Sequence, residues 1–90
     1  MEDLSEGARS LMQRLAYEPE RDVDDIAKNL MQWSAEAVRA AAAELESAHY
    51  AACLRPDGEG DASAIMVVRL SDRGRLVARG HGHLAVLLPS

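Results

Sequence analysis

Hydrophobic positions in the first half of the chain recur at helical spacing in three successive segments. Residues 3–17 carry one apolar stripe at intervals of three and four, and residues 23–32 and 35–48 carry shorter ones. These stripes predict three amphipathic helices that pack their apolar faces together. The stripe positions are Leu4, Ala8, Leu11, Met12, Leu15, Ala16, Val23, Ile26, Ala27, Leu30, Val38, Ala41, Ala42 and Leu45.

Capping residues mark where these helices begin. Asp3 or Ser5 precedes the first, Asp22 the second and Ser34 the third, and each side chain can accept from a free amide of the first turn. The first helix ends where Glu18 stands before a proline, because that position disfavours helical backbone. Only residues 32–34 separate the second and third helices. Two short helices joined so tightly cross steeply, as in a helix-turn-helix.

The period changes after residue 50. Residues 50–55 and 64–70 favour strands, and the turn-rich segment 56–61 between them predicts a β-hairpin. Ser71 then caps a short helix that ends near residue 79. The expected class is therefore α+β. The predicted core comprises Leu11, Leu15, Ile26, Leu30, Val38, Leu45, Val67 and Leu70.

Length and composition allow a single domain. The chain has 90 residues, and we assign residues 1–80 to the domain and 81–90 to an apolar tail that contributes to a homodimer. Its longest apolar run, residues 84–88, is too short to span a membrane. The start of the chain lacks the basic-then-apolar order of a secretory leader, and the one cysteine excludes a disulfide framework. We therefore expect a cytoplasmic protein without membrane contact.

The charge is unevenly distributed. The chain has a formal net charge of −5, and residues 1–34 alone carry four cationic and eight acidic side chains. Residues 65–90 carry four arginines and one aspartate, so positive charge is concentrated in the last quarter. An acidic chain is a poor non-specific binder of nucleic acid, because phosphate contacts need clustered Lys and Arg.

Two groups of residues resemble a known family. Residues 23–30, 34–39 and 44–50 together resemble the helix-turn-helix of bacterial winged-helix regulators. After the predicted hairpin, residues 70–75 read Leu-Ser-Asp-Arg-Gly-Arg, which is similar to the Leu-Thr-x-x-Gly-Arg signature of the MarR type. The resemblance covers roughly residues 8–79. It implies three helices, a two-stranded β-hairpin wing and a short C-terminal helix.

The resemblance also implies a function. In that family the third helix lies in the major groove of double-stranded DNA and the wing touches the minor groove or the backbone. We therefore expect a transcriptional regulator that acts as a dimer, since one protomer has few cations. Ala35 and Glu36 would share the DNA-facing side of the third helix. The residues assigned to DNA are Ser34, Arg39, Ala40, Ala43, Arg55, Arg69, Arg73 and Arg75.

The surface chemistry leaves a second function open. The wing loop carries three acidic residues in segment 57–61, and Ala62 and Ser63 stand where MarR-type wings have two arginines. The exposed side of the third helix is mostly alanine, and residues 40–43 either let another backbone approach closely or only favour helix. These features favour a winged helix that binds a protein partner through an acidic surface.

A few single residues carry further expectations. Trp33 is expected to anchor the second helix to the third, with contact to a partner as the alternative. Cys53 lies among apolar residues and is expected to be a structural thiol. His81 and His83 have no third metal ligand marked nearby. The sequence contains no nucleophile with a base and no phosphate-binding glycine loop, so we expect neither an enzyme nor a cofactor.

Overall fold

A computed structural model describes residues 4–56 and 62–80 of the chain. It confirms the α+β class. The elements, in chain order, are α1 (Glu6–Arg14), β1 (Arg21–Asp22), α2 (Val23–Asp25), which continues as a π-helical segment (Ile26–Met31), α3 (Ala35–Ser47), β2 (Ala51–Leu54), a 3-10 turn (Ala62–Ala64), β3 (Val67–Leu70) and α4 (Asp72–Ala78). The first three helical segments are each shorter than the stretches 3–17, 23–32 and 35–48 that the apolar stripes predicted.

Serine caps begin three of the helices. The hydroxyls of Ser5, Ser34 and Ser71 each accept a hydrogen bond from the amide three residues on, at 3.0–3.1 Å. These bonds satisfy amides that have no partner within the helix. Asp22 precedes α2 as predicted, but its side chain makes no capping hydrogen bond.

The sheet has one strand more than the predicted hairpin. β2 and β3 pair antiparallel, and β1 pairs antiparallel with the other edge of β3, so the strand order is β1-β3-β2. Arg21 lies opposite Val68, which links two segments far apart in the sequence. The N-terminal third of the chain is thereby joined to β3.

The core lies between α1, α3 and the inner face of the sheet. Six of the eight predicted core residues are buried, but Leu30 and Val67 are only partly buried. Val68, which alternates with Val67 on β3, faces inward instead. Ile65 also lies in the core, although the sequence did not single it out. The large side chains with almost no exposure are Leu11, Leu15, Ile26, Leu45, Ile65, Leu70, Val23, Val38 and Val68.

The turn between the second helix and α3 uses a left-handed residue. The π-helical segment ends at Gln32, which has φ 58° and ψ 43°. The amide of Trp33 then donates to the carbonyl of Ala27 at 3.0 Å. Glycine adopts this backbone conformation most readily, and the chain has none here.

The end of α3 is a second left-handed position. His49 has φ 67°, its amide donates to Glu46, and the amide of Tyr50 donates to Leu45. This pair of bonds is the Schellman motif, in which glycine is the usual left-handed residue.

We predict that His49→Gly raises the free energy of unfolding by about 0.5–1 kcal/mol, because glycine relieves the left-handed strain. Chemical denaturation measures the change. Ser47→Gly is the matched control, because Ser47 lies within α3 and glycine there lowers stability by about the same amount. Destabilisation by both variants would contradict the assignment of strain to His49.

A close contact seats α4 against the start of β2. The amide of Ser71 donates to the carbonyl oxygen of Tyr50 at 3.0 Å, and the Ser71 hydroxyl donates to the carbonyl of His49 at 2.8 Å. A Cβ atom placed on Gly74 would overlap the same Tyr50 oxygen and lie 2.9 Å from the Tyr50 carbonyl carbon. Only glycine therefore lets the α4 backbone approach this closely.

Two segments that carry sequence predictions lie outside the described residues. The tail 81–90, with its predicted dimer contact and His81 and His83, lies outside the described residues, as does the wing segment 57–61. Among the residues that the structure describes, no helix combines the length and the apolar character needed to cross a membrane.

Candidate functional site

The surface of α3 is the candidate site, because the helix presents one long side away from the core. Val38, Ala42 and Leu45 face inward and are fully buried. Ala37 and Ala40 lie on the exposed side. This surface therefore offers methyl groups where a base-reading helix needs hydrogen-bonding side chains.

The other predicted DNA contacts on α3 have mixed environments. Ser34 uses its hydroxyl to cap the helix, and Glu36 is exposed in the first turn. Ala35 and Ala43 are only partly exposed and pack against the core. Of the polar side chains expected to face DNA here, one is thus a cap and another repels phosphate.

Arg39 links α3 to the segment that precedes β3. Its side chain is partly buried, and its Nε donates to the carbonyl oxygen of Ile65 at 2.9 Å. The guanidinium borders a depression of about 310 Å³ that Glu36, Ala40 and Ser63 complete. Arg39 therefore has a structural contact in addition to any external one.

Arg55, directly after β2, is held in a bidentate ion pair. Its two terminal nitrogens donate to the Glu46 carboxylate at 3.0 and 2.8 Å, and its side chain is only 14% exposed. Hydrogen bonds from Arg55 hold the pKa of Glu46 below its ordinary value, against the opposing effect of burial. The pair neutralises a cation that the sequence assigned to DNA.

We predict that this pair contributes to acid sensitivity. Because the Glu46 pKa is lowered in the folded state, its stabilisation is present above the ordinary value of 4.5 and is lost as pH falls through the lower folded pKa. Glu46→Gln should cost about 1 kcal/mol at neutral pH and flatten the loss of stability below about pH 5, as denaturation at several pH values measures. Glu20→Gln, which removes an exposed carboxylate, is the control. An unchanged acid limb in Glu46→Gln would contradict the prediction.

Arg69 and Arg73 are the predicted DNA contacts that remain most accessible. Arg69 is exposed on β3, opposite Ala52 on β2, and its side chain makes no hydrogen bond or ion pair within residues 4–56 and 62–80. Arg73 is exposed on α4 and stacks over the Tyr50 ring, with its guanidinium carbon 5.1 Å from the ring centre.

Arg75 and Arg79 tie α4 to the end of α1. Arg75 donates to the carbonyl of Glu18 at 3.4 Å, and its buried Nε has no hydrogen-bond partner in the described part of the chain. Arg79 donates to the carbonyl of Ala16 at 2.7 Å and stacks over the Tyr17 ring at 4.4 Å. Two of the four arginines in segment 69–79 thus contact backbone carbonyls within the domain, whereas Arg69 and Arg73 stay exposed.

A groove lies between the start of α1 and α3, and the sequence did not predict it. It has a volume of about 360 Å³ and lies beside the partly buried Trp33 ring. The carboxylate of Glu44, a lining residue, accepts hydrogen bonds from the amide and hydroxyl of Ser5 at 2.6 and 2.7 Å. These bonds lower the Glu44 pKa. The lining residues are Ser5, Gly7, Trp33, Ala37, Ala40, Ala41 and Glu44.

Cys53 has the environment of a structural thiol. Its sulfur is partly buried beside the carbonyl of Ala42, at 3.7 Å, and burial raises its pKa to about 11. The thiol is therefore protonated and unreactive at neutral pH. Within residues 4–56 and 62–80, no three His, Cys, Asp or Glu side chains are grouped to hold a metal ion.

Comparisons with known proteins add no relative to this description. No protein-family model, no curated protein and no solved structure matches the chain.

Proposed function

We propose that the protein is a winged-helix module that binds another protein through the surface of α3. The observation that carries this proposal is the chemistry of that surface. Ala37 and Ala40 are exposed beside an apolar groove. Arg39 and Arg55, two of the cations predicted to contact DNA, form hydrogen bonds to groups within the domain.

The winged-helix part of the proposal rests on the order of the elements and on α4. A helix-turn-helix followed by paired strands and a short helix is the order that the resemblance implies. Gly74 and Ser71 also have clear structural reasons to stand where the MarR-type signature has Gly and Thr. The short β1 strand extends this plan by pairing with β3.

The charge of the surface supports a protein partner over DNA. Glu36 and Glu44 lie on the helix that would enter the major groove, and both repel phosphate. Base readout depends on hydrogen-bonding ends such as those of Arg, Asn and Gln, which the Ala37 and Ala40 positions lack. A protein partner needs only complementary shape and charge.

Binding to a pool of fluorescently labelled random duplexes, measured by anisotropy at about 50 mM salt, tests this function. We expect no saturable binding below about 10 μM protein, because electrostatic attraction to DNA is strongest at low salt and this surface offers little. Chemical crosslinking in cytosol treated with nuclease should still capture a discrete protein. Saturable duplex binding would contradict the proposal.

DNA binding is the second candidate, and Arg69 and Arg73 favour it because both are exposed. With two phosphate contacts per protomer, the slope of log affinity against log salt would be about −2, and about −4 for a dimer. Arg69→Ala should then reduce the magnitude of the slope by about 0.9 per protomer. Lys28→Ala, which removes an exposed cation from the π-helical segment, is the control and should leave the slope unchanged.

A further inference from the structure

We infer that the groove between α1 and α3 binds a cationic amphipathic helix of a partner protein, an inference that rests on the proposed function and specifies its site. The groove has a volume of about 360 Å³, and three alanines and Gly7 form its sides. Small side chains let a neighbouring helix come close, and the Trp33 ring provides an aromatic contact of the kind that dominates binding energy at interfaces.

The backbone of the groove determines the conformation of its occupant. Both walls are helices, α1 and α3, so neither wall offers a strand edge with which an extended peptide could pair. An extended peptide would therefore form no ladder of main-chain hydrogen bonds here and would leave most of its own amides and carbonyls without a protein partner. A helix satisfies its own backbone and presents apolar side chains at intervals of three and four, as helix-in-groove complexes do.

The charge around the groove determines the sign of the partner. Among the residues that the structure describes, Glu44 is the only charged one in the groove lining, and the exposed Glu6 and Glu36 directly precede the lining residues Gly7 and Ala37 in the sequence. None of the described lining residues is Lys or Arg. Opposite charge at the rim of an interface speeds association and selects partners. A partner helix that bears Lys or Arg beside its apolar stripe is therefore complementary.

The walls of the groove are held together before any partner arrives. The Glu44 carboxylate on α3 accepts two hydrogen bonds from Ser5, which caps α1. The Gly7 Cα also lies against Trp33, because a Cβ built there would be 3.8 Å from the ring atom Cη2. Because the walls of the groove are already ordered, a partner binds with a smaller loss of conformational entropy.

Trp33 is the only tryptophan of the chain, so its fluorescence reports directly on the groove. The probe is a synthetic helical peptide without aromatic residues, with leucine along one side and lysine flanking it. The matched probe keeps the leucines and replaces each lysine with glutamate. We expect the lysine peptide to shift Trp33 emission to shorter wavelength and shield it from acrylamide in a saturable way, and the glutamate peptide to bind at least about tenfold more weakly.

Two variants with the same charge change locate the binding. Ala40→Arg places a long cation in the groove and should weaken the affinity for the lysine peptide by about tenfold or more. Ser47→Arg adds the same charge at an exposed position of α3 outside the groove lining and should change the affinity by less than about twofold. Circular dichroism confirms that both variants remain folded.

Several outcomes would overturn the inference. No Trp33 response to the lysine peptide, equal responses to both peptides, or equal weakening by both variants would each exclude a cationic helix in this groove. A dimer in light scattering that Ala40→Arg dissociates would assign the groove to a second copy instead. If crosslinking after nuclease treatment still captures a protein partner in any of these cases, the proposed function stands, and only this site and this class of partner are excluded.

Discussion

Replacing Gly74 with alanine is expected to lower the free energy of unfolding by about 3 kcal/mol, as measured by chemical denaturation. The new Cβ would overlap the carbonyl oxygen of Tyr50, which belongs to the backbone and has no flexible end to move away. Helix α4 must then shift as a whole. That shift weakens the bond from the Ser71 amide to the same oxygen and the packing of buried Ala78.

Gly7→Ala is the matched control, because Gly7 also lies in a helix. Its added Cβ would meet only ordinary contacts, at 3.8 Å from Trp33 and 3.9 Å from the Ser5 hydroxyl. Alanine there should raise stability by about 0.5–1 kcal/mol through its better helix propensity. If Gly74→Ala were as well tolerated as Gly7→Ala, the close seating of α4 on Tyr50 would be wrong.

Truncating Leu45 should cost about 2–5 kcal/mol, because its side chain is completely buried where α3 meets the core. The Leu45→Ala variant loses the transfer free energy of the removed atoms and leaves a cavity that α1 and the sheet cannot close. Urea denaturation gives the change from the midpoint and the slope.

Leu54→Ala removes the same atoms from a side chain that is 56% exposed at the end of β2. Its cost should be below about 1 kcal/mol, since that leucine is already largely in water. Similar losses for the two variants would mean that α3 does not bury Leu45 as described.

Local features were predictable because their causes lie within a few residues. Ser34 and Ser71 begin α3 and α4 as the sequence predicts, since a cap bonds to an amide only three positions away. The apolar stripe that contains Leu11 and Leu15 also reaches the core, because helical spacing alone decides which side of the helix faces inward.

Features that depend on distant partners were not predictable. β1 has only two residues, too few for any pattern, and it exists because β3 lies beside it. The segment around Val67 is continuously apolar, so no alternation showed that Val68 is the buried residue. The π-helical turn at Ile26–Met31 differs from an α-helix by a hydrogen-bond shift of one residue, which composition does not reveal.

The candidate site shows the same division. The resemblance assigns Arg39 to DNA and charge assigns Arg55, but the Ile65 carbonyl and the Glu46 carboxylate accept hydrogen bonds from them. Neither contact follows from spacing on one helix. The sequence predicts Trp33 as an anchor or a partner contact, but its position beside a groove depends on how α1 crosses α3. The sequence supplied the alanines and the tryptophan but not the space between them.

The pairing of Arg21 with Val68 has a consequence for how the chain folds during synthesis. During synthesis the sheet cannot close until β3 is available, and β3 follows α1 and α3 in the chain. Loops that bring together residues this far apart form late and slow the search for the native state. The N-terminal helices therefore keep part of their apolar surface uncovered until β3 is available, and a chain that stops before residue 68 would be prone to aggregation or to capture by a chaperone.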